Sequence, residues 1–227
     1  MQTLSSARIA IRIFIALSYI SVYDTLSALL VNTKTMIYEA KTFAIPTLDG
    51  ISLKTIQEHL GLYAGYVKHV NLIHDKIAEL KEDSEKNAYA LAEIQRRLGF
   101  EFGGMKNHEY YFSQFEGGAK ELAPETELYK SAAYLWGSYE AFVAQFKATA
   151  MTRGVGWAML YLDRSAQRLV MTWVDEQHIG QLPSVDIILA LDMWEHSYML
   201  DYAPSEKKQY VDAFFRNLNW EVVANRI

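Results

Sequence analysis

Apolar and polar positions follow two different periods along this chain, and the period changes near residue 155. From Ile56 onward, Leu60, Tyr63, Val67, Val70, Ile73, Ile77 and Leu80 recur at intervals of three and four. That is the spacing of one face of a long amphipathic helix. Ser52, just ahead of Leu53, Lys54 and Thr55, is placed to cap its start, and a turn over residues 46–50 precedes it. Gly61 and Gly65 interrupt the pattern as a bend or a close contact. The charged stretch 82–86 separates this helix from a second, running from about Asn87 through His108 into Tyr111. Two helices joined by a short polar connection form an antiparallel hairpin. Residues near 125–150 read as helical again, with Tyr129, Ala133, Trp136, Tyr139, Phe142 and Phe146 on one stripe. Beyond them, 156–162, 168–174 and 186–194 read as short strands separated by turns at 163–165 and 180–184, and such short connections imply antiparallel pairing. Tyr210, Val211, Phe214 and Phe215 mark a return to helix, and Asn219-Trp220 opens a last short one.

The predicted fold class is therefore α+β: an N-terminal antiparallel helical hairpin followed by a C-terminal domain with a three-stranded antiparallel sheet and flanking helices. The predicted division is an extension over 1–35, a hairpin domain over 36–118 and an α/β domain over 119–227. In the extension, residues 9–22 are mostly apolar but enclose Arg12, and the run of about 14 residues falls short of the ~20 that a spanning helix needs. No small-x-small cleavage site follows Val22. A disordered arm or a start at Met36 is preferred to a targeting segment. The expected location is the cytoplasm, with export only if the extension is a genuine leader.

Composition narrows the chemistry. The 227 residues contain no cysteine, which excludes disulfides, thiolate zinc sites, cysteine-ligated clusters and thiol catalysis. Any metal must be held by His, Asp, Glu or backbone groups. A net charge of -5 gives no reason to expect a nucleic-acid partner, and no membrane partner is expected either. Fifteen Tyr, ten Phe and five Trp are enough to wall a site off from water.

The point of greatest chemical tension is Asp192. It directly follows the branched apolar run Ile187-Ile188-Leu189-Ala190-Leu191, the pattern of a buried strand, and an unpaired buried carboxylate is very costly. His196, four residues on, supplies a partner, either as a hydrogen bond closing the strand end or as a second metal ligand. Among the six histidines, His69 and His74 sit amid Lys68, Asp75 and Lys76 and read as solvent-facing. His59 and His108 lie one on each helix of the hairpin, and His178 follows the second strand. Three neutral imidazoles and one carboxylate would suit Fe, Mn or Zn and leave a coordination position open, as catalytic sites do.

These residues also carry a resemblance. Asp192-Met193-Trp194-Glu195-His196, with Tyr198 and Asp201-Tyr202, is similar to the C-terminal signature of the iron/manganese superoxide dismutases. Residues 51–59 resemble the approach to that family's first ligand, and Gly103 to His108 resembles the Asn-His of the second. Gly154-Val155-Gly156-Trp157 resembles its strand-opening motif, and Asn217-Leu218-Asn219-Trp220 its closing one. The likeness covers residues 36–227, in order.

The resemblance implies an antioxidant enzyme that disproportionates superoxide to dioxygen and hydrogen peroxide. It implies one Fe or Mn ion per subunit, held by His59, His108, Asp192 and His196, with a water or hydroxide as fifth ligand. Either ion suits the set, and the reading leans to iron. Many iron members carry a Gln four residues before the second ligand, where this chain has Gly104, so the group bonding to the bound solvent is expected from the strand before Asp192. The candidates are His178 and Gln177, with His178 preferred as in the histidine-bearing subgroup. Tyr66, seven residues after His59 where the family usually has a Tyr at eight, is the candidate for the substrate-gating tyrosine, and the missing residue predicts a regular helix without a π-bulge. Tyr63 stands at the family's access-channel histidine and Met199 at its cross-subunit tyrosine. Trp157, Trp173 and Trp194 are expected to wall the pocket. A homodimer is implied, with Glu195 paired to the partner's His196. The same ligands would also serve a mononuclear iron oxygenase or hydrolase. A dismutase-like chain with only a structural role would tolerate ligand loss, and all four positions are intact.

Overall fold

The computed structural model describes residues 38–227, so the reading of the 1–35 extension lies outside the described residues. Helix α1 spans Leu53–Leu80, and the Ser52 hydroxyl accepts the Thr55 N–H as its cap. Its buried positions, Thr55, Ile56, His59, Tyr63, Val67, Val70 and Ile73, step by three and four, so His59 shares the stripe that faces the core. The helix is α throughout, with no π segment at Tyr66. A short 3-10 turn leads to α2, Ala88–Ser113, which packs back along α1.

The aromatic stripe over 125–150 belongs to two helices, α3 (Glu127–Trp136) and α4 (Tyr139–Ala150). Gly137 ends the first in the left-handed region at φ +89°, a conformation open to glycine at no steric cost. Ser138 caps the second through Ala141 N–H at 3.0 Å.

Strands β1 (Gly156–Asp163), β2 (Arg168–Asp175) and β3 (Asp186–Asp192) form one sheet in the order β2-β1-β3, with both pairings antiparallel. β1 and β2 make a hairpin, whereas β3 crosses over to the far edge of β1. The central place falls to β1 because Trp157 through Leu162 are all buried, and such a strand needs a neighbour on each side. β3 ends at Asp192, two residues short of the sequence expectation, where the Asp192 carboxylate accepts the Trp194 N–H at 2.9 Å. Helices α5 (Lys207–Asn217) and α6 (Trp220–Ala224) complete the chain, the latter capped by Asn219.

β3 is an edge strand, and its open side is covered by side chains. Gln114, which caps the end of α2, accepts from Ala190 N at 2.9 Å and donates to Ala190 O at 2.8 Å. Arg226 donates to Ile188 O at 2.7 Å. Leaving those buried backbone groups unpaired would cost about 1–3 kcal/mol each. Covering the edge holds the strand that ends in Asp192 against α2. The core runs through both halves, from Tyr63, Val67 and Phe112 of the hairpin to Trp157, Leu189 and Phe214. Among the described residues no helix is long and apolar enough to cross a membrane.

Candidate metal centre

Four side chains from four segments meet at the end of β3. One ligand-type atom from each of His59, His108, Asp192 and His196 lies within 4.8 Å of all the others. The Nε2 atoms of His59, His108 and His196 stand 3.0, 3.5 and 3.1 Å from one oxygen, Asp192 Oδ2. The rest of Asp192 is held by protein donors. Trp194 N–H donates to Oδ1, and the Ser197 and Tyr210 hydroxyls donate to the backbone carbonyl at 3.0 and 2.9 Å. Oδ2 is thereby aimed at the imidazoles.

The tautomer of His108 decides what this arrangement can hold. Its Nδ1 lies 2.6 Å from Gly104 O, and a carbonyl only accepts, so Nδ1 carries the proton. Nε2 is then a bare lone pair, fully buried and without a hydrogen-bond partner, directed at a carboxylate oxygen. Protonation does not relieve the repulsion, because burial, with His59 beside it, pushes the imidazole pKa down to about 3. A cation between the two does relieve it. His59 is likewise held below its ordinary range by burial. For Asp192 burial pulls upward, but the facing His196 and His59 outweigh it, and the carboxyl stays well below its ordinary range. His196 goes the other way: Asp192 outweighs its burial and raises it. Two imidazoles held neutral, a third facing the ionised carboxylate, and no thiolate form a donor set that fits Fe, Mn or Zn.

These shifts set the acid behaviour of the metal-stripped protein. His59 and His108 have folded values below 6.5, so the stability they support is complete above pH 6.5 and lost as pH falls, for His108 down to about 3. Asp192 adds a loss in the same direction below its unfolded value of 3.8. His196 is raised, so its contribution is complete below pH 6.5 and is lost only as pH rises above that value, outside this window. The melting temperature of stripped protein should therefore fall between pH 6.5 and 3, through His59 and His108 and, below 3.8, Asp192. A flat profile would contradict these assignments.

Aromatic rings close the surroundings. Trp157 is the ladder partner of Asp192, so both side chains share one face of the sheet. Its ring lies 5.0 Å from that of His108, and Tyr111 and Phe112 each lie 4.9 Å from His59. Trp194 stacks on His196 at 5.7 Å. Trp173 does not join this wall. It pairs with Ala158, one position along β1 from Trp157, so it faces the other side of the sheet and donates to Asp175 instead.

Of the two candidates His178 and Gln177, it is Gln177 that bonds to Trp157 and Tyr66. Gln177 is fully buried beside the cluster: Trp157 Nε1–H donates to its Oε1 at 3.0 Å and its Nε2 donates to Tyr66 Oη at 3.0 Å. Indole is only a donor, so the amide orientation follows from it. Glu176 is left-handed at φ +50°, in the tight turn that carries both residues. His178 is turned toward Phe100, with ring centroids 5.9 Å apart. Tyr66 stands at the cluster, its ring 5.1 Å from His108, and burial with the Asp192 and Glu101 carboxylates raises its hydroxyl pKa. Tyr63 does not line an opening. It is 1 % exposed, and its hydroxyl accepts from Lys41 N–H at 2.9 Å and points to Glu109. Met199 and Glu195 are exposed at the rim near His196. His69 is exposed beside Glu101, while His74 is half-buried and stacks on Tyr38 at 6.2 Å. Sequence reasoning missed Tyr210 and Ser197, which hold the Asp192 carbonyl. Tyr210 carried only the signal of an ordinary core position.

Comparison with known proteins agrees with this geometry. Residues 124–226 match the family described as iron/manganese superoxide dismutases, C-terminal domain. The chain is 33 % identical to superoxide dismutase [Fe] of Aquifex pyrophilus, over 79 % of this chain and 85 % of that one. It is 34 % identical to superoxide dismutase [Fe] of Cupriavidus metallidurans, over 84 % and 96 %. It is also 34 % identical to superoxide dismutase [Mn] of Mycolicibacterium fortuitum, over 74 % and 80 %. Likeness of this extent places the chain in the iron/manganese superoxide dismutase family.

Proposed function

We propose that this chain disproportionates superoxide to dioxygen and hydrogen peroxide, with one iron or manganese ion held by His59, His108, Asp192 and His196. The observation that carries this reading is the bare, buried Nε2 of His108 facing the Asp192 carboxylate. Such an ion supplies one-electron cycling between its trivalent and divalent states. Relatives named for iron and for manganese match this chain to a similar extent, and either ion suits the donor set.

The protein's own residues supply the rest. Trp157, Tyr111 and Phe112 keep bulk water from the ligands. Gln177 spends one amide hydrogen on Tyr66 and has a second with no protein partner among the described residues, available to a small polar group held at the centre. A hydrogen bond of that kind weighs protonation states and so tunes a redox couple. Tyr66 Oη keeps its proton at neutral pH, since its pKa is raised, and is a proton-bearing group linked to Trp157 through Gln177. Stripping the protein and reloading it separately with ferrous and manganous ions should restore superoxide consumption with at least one of them. No recovery at full metal occupancy would overturn the reading.

A homodimer belongs to the same proposal. Around Glu195 and His196, Leu62, Met199 and Leu200 line a groove of about 580 Å³ and are 44, 48 and 50 % exposed. A clustered apolar rim beside a functional side chain is suited to a second copy. Light scattering at micromolar concentration should give twice the chain mass, and a monomer with metal bound would contradict it.

A further inference from the structure

We propose that Gly103 and Gly104 of α2 are positioning residues for the Gln177–Tyr66 pair, each making room for one partner of that hydrogen bond. Neighbouring positions on a helix point about 100° apart. Here one points at the turn that carries Gln177 and the other at the α1 residue Tyr66. A methyl group at Gly103 would overlap the Gln177 carbonyl oxygen and stand 3.1 Å from its carbon. Both are backbone atoms, which cannot swing aside as a side chain can. At Gly104 a methyl group would stand 2.5, 2.7 and 2.8 Å from three carbons of the Tyr66 ring. The missing side chains therefore set how deeply both partners sit.

Independent contacts fix the same register. Asn107, one turn beyond Gly103, donates to Gln177 O at 3.0 Å and accepts from Gln181 at 2.7 Å, so the turn is bonded onto the face that Gly103 opens. Trp194 Nε1–H holds the preceding carbonyl, Glu176 O, at 3.1 Å. Gly104 adds its own carbonyl, which orients His108. One helical step thus aligns a ligand, the tyrosine and the glutamine that bonds to it. Gly99 lies one turn earlier on the face of Gly103 but meets only the His178 ring, at 3.2 Å, and serves as the control.

This inference rests on the metal reading above, and its test separates the two. In the metal-loaded protein, Gly103→Ala should keep its full metal content, because no ligand touches that position. It should shift the oxidised-to-reduced ratio at a fixed potential at least tenfold, which is about 59 mV for a one-electron couple. Gly104→Ala should shift it comparably by displacing the Tyr66 ring, and Gly99→Ala should leave it unchanged. Crystal structures of the variants should show the Gln177–Tyr66 separation lengthened from 3.0 Å in the first two only. If Gly103→Ala does not fold, Gly104→Ala carries the test. A wild-type potential and an intact Gln177–Tyr66 bond in a folded, loaded Gly103→Ala or Gly104→Ala would overturn the proposal, even in a working dismutase. An equal shift in Gly99→Ala would overturn it as well. Wild-type protein that holds metal without consuming superoxide would instead sink the functional reading.

Discussion

Asp192→Ala is expected to empty the metal site and abolish superoxide consumption. Three imidazole nitrogens converge on Asp192 Oδ2 at 3.0, 3.5 and 3.1 Å, and it is the only anionic donor among them. Groups that merely support a ligand cost about 10–100-fold in metal affinity when removed. Losing the charged ligand itself should exceed the top of that range and leave near-zero metal after dialysis. The stripped protein should respond quite differently. Without Asp192, His196 loses the carboxylate that raises its pKa, and all three histidines can remain neutral in place. Stripped Asp192→Ala should lose only the hydrogen bonds that Asp192 makes to Trp194 N–H, His59 and His196, at about 1–3 kcal/mol for each group left unpaired, while the metal-loaded pair differs by far more. A variant that retains full metal would refute the ligand assignment. Equal destabilisation with and without metal would reduce Asp192 to a structural role.

Gln177→Ala is expected to keep its metal and lose about 10–100-fold in activity, the usual cost of a group that acts on a metal centre through hydrogen bonds. The substitution also leaves the buried Trp157 Nε1–H without its acceptor, at about 1–3 kcal/mol of stability. Assays are best run well below the melting transition so that the two effects separate. His178→Ala should change turnover little, because its ring lies toward Phe100 and makes no hydrogen bond with Gln177 or Tyr66. The reverse result, a large loss for His178 and none for Gln177, would return the role to the histidine.

These two substitutions also mark where the sequence was legible. The α1 stripe and its Ser52 cap could be read because both are local, a period of three and four and a hydroxyl at one fixed position. Asp192 could be read because a carboxylate after five apolar residues must be paired. The choice between Gln177 and His178 could not, since it depends on contacts across the fold, Gln177 with Trp157 and Tyr66 and His178 with Phe100. The sequence did hold a hint in Trp157, whose indole N–H, once buried, needs an acceptor such as the Gln177 carbonyl. The break at Gly137-Ser138 was hidden by the aromatic stripe, which keeps helical spacing straight across it. The crossing of β3 to the far edge of β1, and the side chains of Gln114 and Tyr210 that brace it, depend on contacts distant in sequence. No local period encodes them.

The most direct test is elemental analysis of protein purified from separate iron-rich and manganese-rich cultures, with superoxide consumption assayed on the same samples. The account predicts about one transition-metal ion per chain and activity that follows the content of iron, of manganese or of both. Near-zero metal, or a full complement of metal without superoxide consumption, would contradict it.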